Sequence, residues 1–222
     1  MAPKLKLTYF NMEGAAEKVR LALKLGGLEF EDDRIDFANW PAFKSTTPYG
    51  QVPLLTIDDK PPVTQSFAML RYVGRLSGLF PEDLTLALQV DEICGLQDDF
   101  ARAISPSMYV AMRPQVFGYP EDLPEAERKT LQAKMRASLM ADGGDVPRFL
   151  GYFEAILAKN GTGYFCGSTA TIADCTMLPA FRMLKSGRLD GIPTTVLDAY
   201  PNITAFVDRM HELPAIKAHY AK

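Results

Sequence analysis

The chain is poor in the side chains that most metal and acid–base chemistry requires. Of its 222 residues only two are histidine, His211 and His219, both near the C-terminus. No cluster of His, Cys, Asp or Glu at ligand spacing surrounds them, so no metal is expected. They read as surface or interface residues of a terminal helix. Three cysteines, Cys94, Cys166 and Cys175, lie far apart. Without a CxxC pair, thioredoxin-type redox chemistry and a zinc ribbon are both disfavoured. An odd count fits a reducing compartment, and a cytoplasmic location is expected. No apolar run reaches the roughly 20 residues that cross a bilayer, so no membrane is expected. The opening MAPKLKLTYF lacks the apolar core of a signal peptide. The net charge of −3 is small and no basic face emerges, so nucleic acid is not expected as a partner. Repeats and low-complexity segments are absent.

What is present is a 47 % apolar chain long enough for one large domain or two small ones. Lys4 to Phe10 alternates, with Leu5, Leu7 and Tyr9 on one face, and reads as a half-buried strand. Asn11 to Gly14 is a loop. Ala15 to Leu25 reads as a helix burying Ala15, Val19, Ala22 and Leu23, stopped at Gly26-Gly27. Phe30 to Phe37 reads as a charged edge strand. Asn39 to Lys44 looks irregular and holds the only tryptophan, Trp40. Leu54 to Ile57 and Val63 to Gln65 read as strands about an Asp58-Asp59-Lys60 turn. Ser66 sits where an N-cap belongs, ahead of Phe67, Leu70, Val73 and Leu76, and Gly78 ends that helix. This order predicts a small α/β unit over 1–82.

Beyond the linker Leu79 to Asp83, strand signals stop and 83–222 reads as all helical. Helices are expected over Leu86 to Arg113, Glu125 to Met140 and Val146 to Leu157. The glycines from Gly161 to Gly167 have the wrong spacing for a nucleotide loop and read as a turn. Thr171 with Asp174 forms a capping box before a helix that is apolar nearly all round and contains Pro179. The tail reads as a helix from about Tyr200 and a second opening at Pro214.

Two features suggest binding. Val52 precedes Pro53; a cis bond there would leave the Val52 backbone able to pair with an extended peptide. On the general frequency of about 5–6 % cis, an ordinary trans proline is favoured. Gln65-Ser66 at a helix N-terminus offers amides and a hydroxyl to a carboxylate, although a lone Ser more often only caps its helix.

Taken together, Val52-Pro53, Gln65-Ser66, the Thr171–Asp174 box and Leu213-Pro214-Ala215-Ile216 resemble a cytosolic glutathione transferase. Lys6 to Met12, Trp40-Pro41, Lys44-Ser45-Thr46, Pro48-Tyr49-Gly50 and Gln97 to Phe100 resemble its sigma class. That class includes haematopoietic prostaglandin D synthase and the lens S-crystallins. The resemblance implies a thioredoxin-like α/β domain followed by an all-α domain, with glutathione as co-substrate. It implies that Tyr9 is catalytic, that Trp40 and Lys44 hold the glycine carboxylate, and that Gln51 and Val52, before a cis Pro53, meet the cysteinyl backbone. Gln65 and Ser66 would bind the γ-glutamyl carboxylate. Asp99 would meet its amino group from the other subunit of a homodimer. Phe10, Met108 and Met112 would border the electrophile.

The chemistry fits. A thiol pKa of about 8.5 leaves only a few per cent thiolate at neutral pH. A drop of about two units needs roughly 2.7 kcal/mol. One charge-assisted hydrogen bond of roughly 1.5–3 kcal/mol supplies most of it. One departure stands out. Glu13 and Ala15 occupy positions where the family often carries arginine, which implies a less depressed thiol pKa and counts against prostaglandin D synthase activity. The resemblance admits a glutathione-dependent isomerase and a non-catalytic, crystallin-like protein as well as a transferase of small electrophiles.

Overall fold

The computed structural model describes residues 2–221; the outer limits of the two expected domains, Met1 and Lys222, lie outside them. Strand β1 (Leu5–Phe10) is central in a three-stranded sheet of order β2-β1-β3. It pairs in parallel with β2 (Phe30–Ile35), Leu5 beside Phe30 and Phe10 beside Ile35. It runs antiparallel to β3 (Leu54–Ile57), Leu5 opposite Ile57 and Thr8 opposite Leu54. Between β1 and β2, helix α1 (Glu17–Leu25) packs its Val19, Ala22 and Leu23 face into the core. Its stripe begins at Ala16, not Ala15, which is exposed. A 3₁₀ turn over Gly14–Ala16 precedes the α-helix and rotates Ala15 outward.

Three local expectations need correction. Trp40–Lys44 is not irregular but a short helix, α2, opened by Pro41 in its first turn. The return strand at 63–65 is reduced to a single bridge between Leu55 and Val63. Pro61 and Pro62 before it have no amide to donate, and Gln65 after it turns to φ +73°. Ser66 is the first residue of α3 (Ser66–Ser77), not its cap; Gln65 holds the cap position and gives no side-chain cap bond. Gly78 ends α3 in the left-handed conformation, as expected.

The helical part comprises α4 (Leu84–Met112), α5 (Glu125–Met140), α6 (Asp145–Asn160), α7 (Ile172–Lys185), α8 (Pro201–Glu212) and α9 (Pro214–Tyr220). Asp83 caps α4 by accepting from the Leu86 amide at 2.8 Å. Helix α7 is the axis. Ile172, Cys175, Met177, Leu178, Phe181 and Leu184 are buried. Phe181 joins Phe153, Phe165 and Phe206 in an aromatic cluster with centroids 5.0–6.3 Å apart. Truncating one such ring to Ala costs about 3–5 kcal/mol. At the α7 N-terminus the capping box is complete: Thr171 Oγ1 accepts from the Ala173 amide, and Asp174 accepts from the Thr171 amide at 2.7 Å. A Cβ on Gly74 of α3 would lie 2.5 Å from Ile172 Cγ2, so glycine lets α3 approach α7. The architecture is a thioredoxin-like α/β domain followed by a helical domain.

Candidate active site

Tyr9 stands near the C-terminal end of β1, where the alternation that buries Leu5 and Leu7 buries it too. Its hydroxyl accepts a hydrogen bond from the Ala15 amide at 3.1 Å. Gly14 makes that possible. Its φ is +45°, and a Cβ there would fall 2.5 Å from Tyr9 Oη. Burial pushes the Tyr9 phenol above its ordinary value of 10.0, against the Ala15 amide and the charge of Arg20. The phenol therefore keeps its hydrogen at neutral pH. With one lone pair held by Ala15, the O–H remains to donate to an acceptor in front of it.

Arg20 fixes the loop behind this tyrosine. Fully buried, it donates to the Met12 carbonyl at 2.7 Å and to the Phe10 carbonyl at 3.3 Å. Its charge is matched by Glu17 at 3.2 Å and Asp32 at 3.0 Å. Glu17 is held in turn by His219 at 2.7 Å. Burial alone would raise the Glu17 carboxyl, but His219 and Arg20 outweigh it and hold it below 4.5. His219, expected on the surface, is thus 10 % exposed and tied to α1, because α9 folds back on that helix.

From Tyr9 a run of rings leads outward. Phe10 stacks on Phe37 at 4.3 Å and meets Trp40 edge-on at 5.4 Å. Beyond α2, Thr47 ties the next loop together: its hydroxyl donates to the Lys44 carbonyl at 2.9 Å and accepts from the Gln51 amide at 3.1 Å. Lys44 and Gln51 are exposed, and the Val52–Pro53 peptide is cis, as the family resemblance implied and the general frequency did not. Gln65 is exposed at φ +73° and ψ 97°, a conformation costing a non-glycine residue about 1–3 kcal/mol. Among the described residues, no hydrogen bond engages the side chains of Trp40, Lys44, Gln51, Gln65 or Ser66. Trp40 and Ser66 are half-buried, and Lys44, Gln51 and Gln65 are exposed.

The remaining expected residues lie on α4. Asp99 is exposed on α4 and paired with Arg102 of its own helix. Met108 is half-buried against the core and Met112 is 64 % exposed. Sequence reasoning passed over Tyr109 between them on α4, close enough to Tyr9 that a phenolate there would oppose one at Tyr9. Nor could it foresee Arg182 of α7, which donates to Glu13 at 3.2 Å, since no motif links residues 169 apart.

A three-stranded thioredoxin-like sheet followed by a helical domain defines the fold class. The comparisons agree. Residues 5–75 match the family model described as glutathione S-transferase, N-terminal domain, and residues 123–222 that described as glutathione S-transferase, C-terminal domain. The chain is 31 % identical over 220 residues to glutathione S-transferase 1 of Ascaris suum, covering 99 % of this chain and 97 % of the relative. It is 30 % identical over 220 residues to hematopoietic prostaglandin D synthase of Gallus gallus, covering 99 % and 96 %. Among solved structures, prostaglandin synthase D of Nilaparvata lugens superposes with a TM-score of 0.81 at 31 % identity, covering 99 % and 98 %. The chain belongs to the glutathione S-transferase family and is a glutathione S-transferase enzyme.

Proposed function

We propose that this enzyme activates the glutathione thiol with Tyr9 and transfers the sulfur to small hydrophobic electrophiles. One observation carries the reading: Tyr9 Oη accepts from the Ala15 amide, so its own hydrogen is directed at whatever lies in front of it. When the cysteinyl thiol loses its proton to solvent, the Tyr9 O–H donates to the sulfur anion and favours it. The sulfur lone pair then forms the S–C bond. The displaced group leaves with its electron pair or, in an addition, the substrate carbanion takes a proton. Residues 1–82 hold glutathione: Trp40 and Lys44 at the glycine carboxylate, Gln51 and Val52, with Pro53, at the cysteinyl backbone, Gln65 and Ser66 at the γ-glutamyl carboxylate. Residues 83–222 border the electrophile, with Phe10, Met108 and Met112 along its path. Asp99 of the partner subunit meets the γ-glutamyl amino group in a homodimer. We also place the enzyme in the sigma class and the cytoplasm.

A second reading, a glutathione-dependent isomerase, draws on the likeness to two proteins named as prostaglandin D synthases. It uses the same thiolate. The experiment that tests both is a pH titration of thiolate absorbance for glutathione bound to the protein, with Tyr9→Phe beside it. A thiolate present near neutral pH and lost in Tyr9→Phe is the expected result. Glutathione that stays a thiol, or a thiolate that survives Tyr9→Phe, refutes the assignment.

A further inference from the structure

Glu13 poses a problem for the proposed chemistry. Its carboxylate belongs to the loop whose next two residues, Gly14 and Ala15, shape and donate to Tyr9. An anion there opposes a second anion on sulfur. The helical domain answers it. Arg182 reaches from α7 across the domain boundary, and its Nη2 donates to Glu13 Oε1 at 3.2 Å.

Arg182 is not a loose surface cation that happens to fall nearby. Its guanidinium lies 3.5 Å from the ring centroid of Tyr220 on α9. Its Nη1 is 3.1 Å from His211 Nε2 on α8. Arginine can only donate, so this nitrogen accepts. Burial, with the charge of Arg182 next, holds the His211 imidazole below its ordinary value, which keeps the acceptor neutral. Two helices thus aim one guanidinium at one carboxylate. The pose leaves Arg182 Nε buried without a hydrogen-bond partner among the described residues. The other charged groups acting on His211 and Tyr220 are Glu17 on α1, Lys185 on α7 and Asp208 on α8.

We infer that Arg182 is a positioning residue for the Tyr9 loop, acting through Glu13: from the helical domain it neutralises the carboxylate that would otherwise oppose an anion in front of Tyr9. The inference rests on the Tyr9 thiolate reading and adds a residue to it.

The test is the same thiolate titration on four further variants. Arg182→Ala leaves Glu13 uncompensated, and the thiol pKa should rise by a few tenths of a unit, roughly a twofold loss of thiolate near neutral pH. Glu13→Gln leaves Arg182 uncompensated, and the pKa should fall by a similar amount. The double variant should return close to wild type, and Arg182→Lys should restore most of the Arg182→Ala effect. A purely structural tie loosens the loop in both single variants and moves both pKa values the same way; that result, or no shift in either, overturns the inference. If Arg182→Ala does not fold, Glu13→Gln still decides, because its side chain is one-third exposed and its sign is opposite. A wild type without thiolate would instead refute the Tyr9 reading itself. A wild-type thiolate lost in Tyr9→Phe but unmoved in the Glu13 and Arg182 variants removes only the role of Arg182.

Discussion

Two helix N-termini in this protein solve the same problem in opposite ways. Each leaves its first backbone amides without partners inside the helix. At α7 the protein supplies every partner itself. Thr171 sits at an ordinary extended φ of −124°, and Asp174, fully buried, accepts from the amides of Phe165 and Thr171 and from the Thr171 hydroxyl. At α3 it supplies none from side chains. Gln65 is held at φ +73°, is exposed, and makes no cap bond. A scaffold has no use for an open, strained terminus, whereas an anion site requires free amides with the helix dipole behind them. The contrast separates the terminus that holds the fold from the one proposed above to meet the γ-glutamyl carboxylate.

Removing the α7 acceptor is the strongest way to break the contrast. Asp174→Ala orphans two buried amides and a hydroxyl, each worth roughly 1–3 kcal/mol, so unfolding free energy should drop by about 3–5 kcal/mol in urea titrations. Activity per folded molecule should not change. The same carboxylate gives a pH signature. Burial raises it to about 6, above the unfolded value near 3.9. Its contribution to stability is therefore fully present below about pH 4 and lost as pH rises through 6. Asp174→Asn should flatten stability across that window. Glu17, held below its ordinary value, acts in the opposite sense and only at lower pH, where its stabilisation is lost as it protonates.

At α3 the expected pattern reverses. Gln65→Ala or Ser66→Ala should leave stability within about 0.5 kcal/mol, because neither side chain has a partner in the fold. Each should raise KM for glutathione roughly tenfold, the loss of one hydrogen bond to a charged group. A loss of several kcal/mol of stability, with KM unchanged, would make α3 scaffold like α7.

The two termini also differ in how legible they were. The α7 box could be read from Thr171 and Asp174 because its partners lie within one helical turn. At α3 the same reasoning placed the cap at Ser66, one residue late, since nothing local announces a left-handed glutamine. The Gln65 and Ser66 side chains have no hydrogen-bond partner within the described residues for a pattern to reveal. Strand and helix periodicity located the sheet and most of the helical domain because burial imposes those periods. The pairings His219 with Glu17 and Arg182 with Glu13 were beyond reach: they join residues that only the docking of α9 against α1, and of α7 against the Tyr9 loop, brings together. The same holds for Ala15, whose contribution to Tyr9 comes from its backbone amide, which every residue but proline carries.

That last point yields the smallest effect expected. Because Ala15 serves Tyr9 through its amide and its side chain is exposed, Ala15→Arg can add a cation without disturbing the bond. The glutathione thiol pKa should fall, by less than one unit, since an exposed charge is screened by water and salt. The shift should shrink as ionic strength rises from about 0.01 to 0.5 M, the behaviour of a through-solvent charge. A thiolate titration at two salt concentrations reads both quantities. A fall that ignores salt would point to a contact with the sulfur itself, and no fall at all would mean that Glu13 and Arg182 already set the field around Tyr9.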